Sequence, residues 1–500
     1  YQWTGIRFLV ENGHALLADD MGLGKTMQAI AAMTFLRHHG EVARTLVVCP
    51  TSLLAQWRAE IRRFTGVDAV VLEGSAPTRR QQLREHPPIA ITTFDRARLD
   101  FDVLQAEYGP DLLIVDEAQR VKNWATKNAQ YLSAFSTRYA FVLTGTPLEN
   151  RLEELYALMQ LVDPTVLGPL WRFSAEFWVT DLGGQPIGYR NLKTLRAKLA
   201  PVLLRRTRDE VLHDLPERID TTIWLPLEGR QLAVHDDALN RARYLARTKS
   251  HRPLTPRESN LLLASLQSAR MACNAAALVD EVEPPDSPKI RALLELLNDL
   301  CVEQARKVVV FSEWVKMADL VIPRIENELR LRVLHLHGGV AAQVRGRLVD
   351  TFRDDPGARV FFSSDAGGVG LNLQAGTVLI HIDCPWNPAV LEQRTARVHR
   401  HGQKEKVQII RLLALGAYEQ HVAALVETKR NLFDAAISQD AEVDSLSLES
   451  KQLEKLIEAL DKDPGRSLPG VWKDSAATMP RDVAPAAASA TRDDAVEAAT

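Results

Sequence analysis

Short β-branched apolar runs alternate with helix-patterned segments along this chain, and they do so in two separate stretches. The first holds HALLA (14–18), TLVVCP (45–50), IAITT (89–93), DLLIVDEA (111–118) and YAFVLTGT (139–146). LLAQWRAEIRRF (53–64), between two of them, spaces its apolar residues as a helix does. The second holds KVVVFSEW (307–314), RVLHLHGG (332–339), RVFFSSDAGG (359–368), TVLIHID (377–383) and VQIIRLL (407–413). Strands joined through helices pair in parallel and are covered on both faces. The pattern therefore predicts an α/β chain with two parallel sheets flanked by helices.

The boundaries follow from composition. Residues 1–150 and 286–435 form the two α/β units. Residues 151–285 read as a helical insertion and linker, from ELYALMQLVDP (154–164), LKTLRAKLAPVLL (192–204) and NLLLASLQSARMACNAAALV (260–279) to the Pro-rich EPPDSP (283–288). LSLESKQLEKLIEALD (446–461) predicts a C-terminal helix within 436–463. Residues 464–500 are rich in Ala, Asp, Pro and Ser and are expected to be disordered.

Charge and cysteine usage narrow the function. The 61 Lys plus Arg and 64 Asp plus Glu leave a net charge of -3, so any grip on nucleic acid must come from local basic spots. No run of about 18 apolar residues occurs, and no membrane partner is expected. Cys49, Cys273, Cys301 and Cys384 lie far apart without zinc-ligand spacing, which points to a reducing, cytoplasmic setting. The chain opens at Tyr1 rather than Met, which leaves the natural start open.

ADDMGLGKTMQAI (18–30) follows an apolar run and opens a helix. Gly22 and Gly24 permit the tight backbone that aims N–H groups at phosphate. Lys25 can reach the β- and γ-phosphates of ATP, and the Thr26 hydroxyl can bind Mg²⁺. The strict pattern G-x-x-x-x-G-K-[ST] is broken, because Asp19 stands at its first glycine. LLIVDEAQ (112–119) ends a strand on two carboxylates: Asp116 as a Mg²⁺ ligand and Glu117 to activate water. Thr144, Gly145 and Thr146 end another strand, where small hydroxyl residues can sense the γ-phosphate.

The second unit contributes EQRTARVHRHGQ (392–403). Arg397 and Arg400 are three residues apart, so on one helix they would share a face and could brace a γ-phosphate across a cleft. SSDAGGVGLNLQ (363–374) adds Gly367, Gly368 and Gly370, which let backbone approach a phosphate.

In order, DDMGLGKT (19–26), PTSLLAQWRAEIRRF (50–64), IAITTFD (89–95), DEAQ (116–119), LTGTPLENRLEELYALMQLVDP (143–164), VVVFSEW (308–314), SSDAGGVGLNLQ (363–374), DCPWNP (383–388) and QRTARVHRHGQ (393–403) resemble the Swi/Snf family of helicase-like ATPases in helicase superfamily two. The resemblance runs from Tyr1 to about Ala435. It implies two RecA-like lobes binding ATP and Mg²⁺ between them. It also implies movement along double-stranded DNA by backbone contacts without sequence specificity. Gln2 resembles the family's adenine-recognising glutamine. Lys25 and Thr26 correspond to the phosphate and Mg²⁺ ligands, Asp116 and Glu117 to the metal ligand and catalytic acid. Gln393, Arg397 and Arg400 complete the site from the second lobe. Gln119 stands where His is commoner, and His401 where Ile is usual.

The expected function is a DNA-dependent ATPase that translocates on duplex DNA and remodels or removes bound proteins. The alternatives are a strand-separating helicase and a nucleotide-gated DNA-binding scaffold. The simple core resembles bacterial members, with a nucleoid location and a DNA-bound partner such as RNA polymerase among the expectations. Candidate DNA-gripping groups are Arg394, Arg397, Arg400, Lys404 and Lys406, with Arg62, Arg63, Arg205, Arg206 and Arg208. Hydroxyls at strand ends (Thr51, Ser52, Thr92, Thr93, Ser363 and Ser364) could touch a DNA backbone or cap helices. Trp386 reads as core rather than as a stacking platform.

Overall fold

A computed structural model describes residues 1–148, 151–180, 186–211, 216–252, 254–365, 371–400, 402–423 and 446–447. The first unit contains β1 (His14–Leu17), β2 (Thr45–Val48), β3 (Val70–Val71), β4 (Ile89–Thr92), β5 (Leu112–Val115) and β6 (Tyr139–Leu143). A pair of short antiparallel strands follows, β7 (Trp178–Thr180) and β8 (Pro186–Tyr189), and then β9 (Leu203–Leu204). The first sheet runs β3-β4-β2-β5-β6-β1-β9 with every pairing parallel.

The second unit contains β10 (Arg218–Pro226), β11 (Val308–Ser312), β12 (Val333–Leu336), β13 (Val360–Ser364), β14 (Val378–His381) and β15 (Val407–Leu415). Its order is β10-β15-β14-β11-β13-β12, again wholly parallel. Two parallel α/β lobes are thus present, as the alternating pattern predicts.

The period of two along each strand explains why both faces are covered. Leu16, Val48, Leu113 and Val142 pack into one core, while Leu17, Val47, Ile114 and Phe141 pack into another on the opposite face. The second sheet repeats the device, with Val308, Val310, Phe362 and Ile380 on one side and Val309, Phe311, Phe361 and Leu379 on the other.

Three elements differ from the sequence reading. Residues 192–204 are not one helix: the helix ends at Leu199, and Leu203–Leu204 join the first sheet beside β1. The stretch read as helical also supplies β10, the edge strand of the second sheet, and a helix at Gly229–His251. Leu446–Ser447, read as the start of a helix, instead form β16, antiparallel to β8. Residues 448–461, the tail 464–500 and Gly368 lie outside the described residues. No helix among the described residues is long and apolar enough to cross a membrane.

Among the ion pairs that the second lobe encloses almost completely is Lys289–Glu419. Lys289 Nζ, 2% exposed as a side chain, donates to Glu419 at 2.7 Å, to Asn274 Oδ1 at 2.9 Å and to the Ile382 carbonyl at 2.7 Å. Glu419 also accepts from the backbone N–H groups of Cys384 and Ala414. Lys289→Met leaves that carboxylate buried without its cation. It is expected to cost about 3–5 kcal/mol in reversible thermal or urea unfolding. A change below about 1 kcal/mol would show the pair to be dispensable.

Candidate nucleotide site

β1 carries the chain into Asp19–Gly24, and the helix Lys25–His38 begins directly afterwards. Gly22 and Gly24 have φ of 88° and 76°, the left-handed region that favours glycine. Lys25 Nζ donates to the carbonyls of Asp19 (2.6 Å) and Asp20 (3.2 Å). Burial lowers the pKa of its ammonium, opposed by the charges of Glu117, Asp19, Asp116 and Asp20. Lys25 and the acidic pair are therefore close enough for their charges to interact.

The broken glycine position also has an explanation. Asp19 is fully buried and takes a bidentate pair from Arg206, whose Nε reaches Oδ1 at 2.9 Å and whose Nη2 bonds Oδ2. Gln28 bridges the two, donating to Asp19 Oδ2 at 3.2 Å and accepting from Arg206 at 2.9 Å. The N-terminal residue joins this network, since Arg206 also donates to the Tyr1 carbonyl. A Cβ on Gly5 would lie 1.8 Å from Gln28 Oε1, and one on Gly24 would lie 2.9 Å from Gln2 Nε2. Gln2 thus sits against the glycine-rich loop.

At the end of β5, Asp116 is 7% exposed, and Trp57 Nε1 donates to its Oδ2 at 2.8 Å. Burial first, and Glu117 second, push Asp116 up to about 7, while Trp57 and Lys25 oppose the shift. Glu117 has φ 53°, a left-handed conformation uncommon for a residue with a Cβ. Gln119 Nε2 donates to Glu117 Oε2 at 2.5 Å, and Thr144 Oγ1 donates to Gln119 Oε1 at 2.8 Å. The residue replacing the commoner His therefore joins the acid of β5 to the hydroxyl beyond β6. Gly145 admits Met21 and, behind it, Lys25: a Cβ there would lie 2.6 Å from Met21 Cγ.

The second lobe arrives from across this loop. Arg400 Cβ is 3.2 Å from where a Cβ on Gly22 would stand. Burial lowers Arg397 to about 10, opposed by the charge of Glu117. It therefore stays cationic near neutral pH, within reach of the acid's charge. Burial also lowers Arg400, opposed by Glu60 of the first lobe. The two arginines do not share a helix face, contrary to the spacing argument. The helix Pro388–Val398 ends before Arg400, and His399 is extended at φ -94° and ψ 91°. The turn, not the helix, aims Arg400. Gln393 lies one turn before Arg397 on the same helix face.

Several expected DNA contacts are committed elsewhere. Arg394, 2% exposed, is clamped by Asp365 (2.6 Å) and Asp383 (3.1 Å). Arg206 holds Asp19, and Arg205 lies 3.9 Å from Asp20. Arg208 pairs with Glu392. Thr92, Ser363 and Ser364 are buried, and Thr93 caps the helix that follows it. Trp386 is half-buried and packs edge-on against Tyr418, with centroids 5.8 Å apart, at the margin of a hydrophobic cluster.

The oxygen donors of Asp116 and Thr26 are of the type Mg²⁺ prefers. The ion is held through one or two carboxylates plus phosphates and water rather than by a protein cage. Asp116 at the end of β5 and Thr26, the second residue of the helix that follows the loop, would be the protein ligands of such an ion, and no group of three or more His, Cys, Asp or Glu able to hold a metal occurs among the described residues. Trp57, which orients Asp116, gave no sign of this role in the sequence beyond its place on an amphipathic helix. Trp57→Phe keeps the ring and removes the donor. The Mg²⁺ concentration for half-maximal ATP turnover is expected to rise about tenfold. An unchanged Mg²⁺ requirement would remove the indole from the site.

Two parallel α/β lobes, with a glycine-rich loop and an acidic pair on one and two arginines reaching it from the other, define a two-lobed ATPase core. The family pattern for the SNF2-related domain matches residues 1–278, and that for the helicase conserved C-terminal domain matches 288–402. The chain belongs to the SNF2-related family of ATP-dependent helicases. It is 30% identical to YwqA of Bacillus subtilis, a candidate ATP-dependent helicase/translocase by its name, over 91% of this chain and 50% of that protein. It is 30% identical to the mouse SWI/SNF-related matrix-associated actin-dependent regulator of chromatin subfamily A member 1, over 89% of this chain and 44% of that protein. The chain thus spans about half the length of the curated relatives it matches. A solved Sulfolobus solfataricus SWI2/SNF2 ATPase core in complex with dsDNA is 27% identical, covering 88% of this chain and 93% of that one, with a TM-score of 0.42.

Proposed function

We propose that this chain hydrolyses ATP in response to double-stranded DNA, moves along the duplex, and remodels or removes proteins bound to it. The observation that carries this reading is the split site: Arg400 of the second lobe stands over Gly22 of the first, and buried Arg397 lies within reach of the charge of Glu117. A site completed only when two lobes meet ties each ATP cycle to lobe movement, which is what a translocase needs.

In this reading Gln2 contacts the base, while Lys25 and the Gly22–Gly24 backbone hold the phosphates. Thr26 and Asp116 would hold Mg²⁺, which would supply charge neutralisation at the phosphates. Glu117 takes a proton from the attacking water, and Arg397 and Arg400 stabilise the charge that develops on the γ-phosphoryl oxygens. DNA is gripped through its phosphates, so binding is salt-sensitive and sequence-tolerant. Lys404 and Arg62 remain exposed for that role.

The test is ATP turnover with and without duplex DNA, beside displacement of a triplex-forming strand. Duplex-stimulated turnover with ATP-dependent triplex displacement is expected. Unwinding of blunt duplexes without triplex displacement would favour a strand-separating helicase, and no turnover under either condition would favour a scaffold.

A further inference from the structure

The segment following β9 touches both halves of the site. Its backbone extends the first sheet into the phosphate loop: Ala18 N–H donates to the Leu204 carbonyl at 2.7 Å, and Asp20 N–H to the Arg206 carbonyl at 3.0 Å. Arg206 holds Asp19, while the Arg208 N–H donates to Asp20 Oδ2 at 3.2 Å. The Arg208 side chain, 7% exposed as a residue, reaches the other way. Its guanidinium donates to the His399 carbonyl at 3.2 Å and to Glu392 Oε2 at 3.3 Å.

These two acceptors bracket the arginine-bearing helix. Glu392 precedes Gln393, and His399 is the extended residue that turns the chain toward Arg400. The same connection holds that turn twice more: His399 Nε2 lies 2.9 Å from the Pro216 carbonyl, and Arg218 reaches Glu392 at 3.2 Å. A residue whose backbone bonds the phosphate loop and whose side chain bonds the opposite lobe can register one against the other.

We propose that Arg205–Arg208 is a positioning strap, in which Arg206 sets the phosphate loop through Asp19 and Arg208 sets the turn that presents Arg397 and Arg400. Both are positioning residues, since neither reaches the reacting atoms. The inference rests on the hydrolytic reading above for its kinetic arm only.

The two residues predict different kinetic signatures in the full chain. Arg208→Ala leaves Glu392 paired with Arg218, so no carboxylate is left without a cation. It is expected to lower DNA-stimulated kcat by about 10²-fold, as small misplacements of catalytic groups do, with the KM for ATP within about twofold. Arg206→Lys keeps the charge beside buried Asp19 but loses the bidentate fork. It is expected to raise KM about tenfold with a smaller effect on kcat. Adding Arg208→Ala to Arg397→Ala is expected to cost little further, because the first acts through the second.

Lobe closure supplies a readout independent of turnover. The native cysteines are all buried, so dyes can be placed on Ser133→Cys and Glu326→Cys, both exposed sites. With a non-hydrolysable ATP analogue, Arg208→Ala is expected to lower the short-distance population. A rise in KM with kcat intact, multiplied losses in the double variant, or an unchanged distance distribution would each overturn the strap. If the unmodified chain turns over no ATP, the hydrolytic reading fails, and the distance measurement still decides the strap.

Discussion

Glu117→Gln abolishes most ATP turnover, with an expected loss of about 10²–10⁴-fold, while nucleotide binding survives. The substitution is nearly isosteric, and its surroundings are prepared to accept it. The Gln119 amide that donates to Glu117 Oε2 can donate equally to an amide oxygen. The left-handed backbone at φ 53° is retained as well. What disappears is the group able to take a proton from water. Measured kcat should therefore collapse, while affinity for a fluorescent ATP analogue changes by less than about threefold. A variant that still turns over at the parental rate would move the base elsewhere.

Arg400→Ala is expected to lower DNA-stimulated kcat by about 10³-fold or more, the usual scale of an arginine finger. Arg397→Ala should act similarly, since its guanidinium lies within reach of the charge of Glu117. Lysine at either position keeps the charge but loses the planar fork and should rescue little. Lys25→Ala disables the first lobe in the same assay. Mixing Lys25→Ala with Arg400→Ala tests whether the halves meet within one molecule. No recovery is expected. Recovered turnover would mean that the arginines serve a neighbouring copy.

Much of this site was legible in the sequence because its parts sit where apolar runs end. The phosphate loop follows HALLA, the acidic pair follows LLIV, and Thr144 follows YAFVL, so the carboxyl edge of one sheet gathers them. Pairings across long stretches of chain were not legible. Arg206 and Asp19 meet only because β9 lies beside β1, and a strand of two residues leaves no alternating pattern to read. β10 was hidden for a related reason. At the edge of its sheet it exposes Ile219 and half-buries most of its other residues, so it never reads as a core strand. Trp57 looked like any apolar helix residue, since nothing in its spacing shows that its N–H meets a carboxylate. The shared helix face assigned to Arg397 and Arg400 failed because His399 leaves the helix, a backbone choice that spacing alone does not record.

The connection from Leu204 to Arg218, at about 3.3–3.6 Å per residue, reaches only ~50 Å at full stretch. A tether of that length keeps each half of the site at an effective concentration on the order of millimolar in the other. Assembly is then a first-order event, insensitive to how dilute the protein is. Cutting the chain between β9 and β10 would turn it into a bimolecular encounter, and turnover would acquire a dependence on protein concentration that the intact chain lacks.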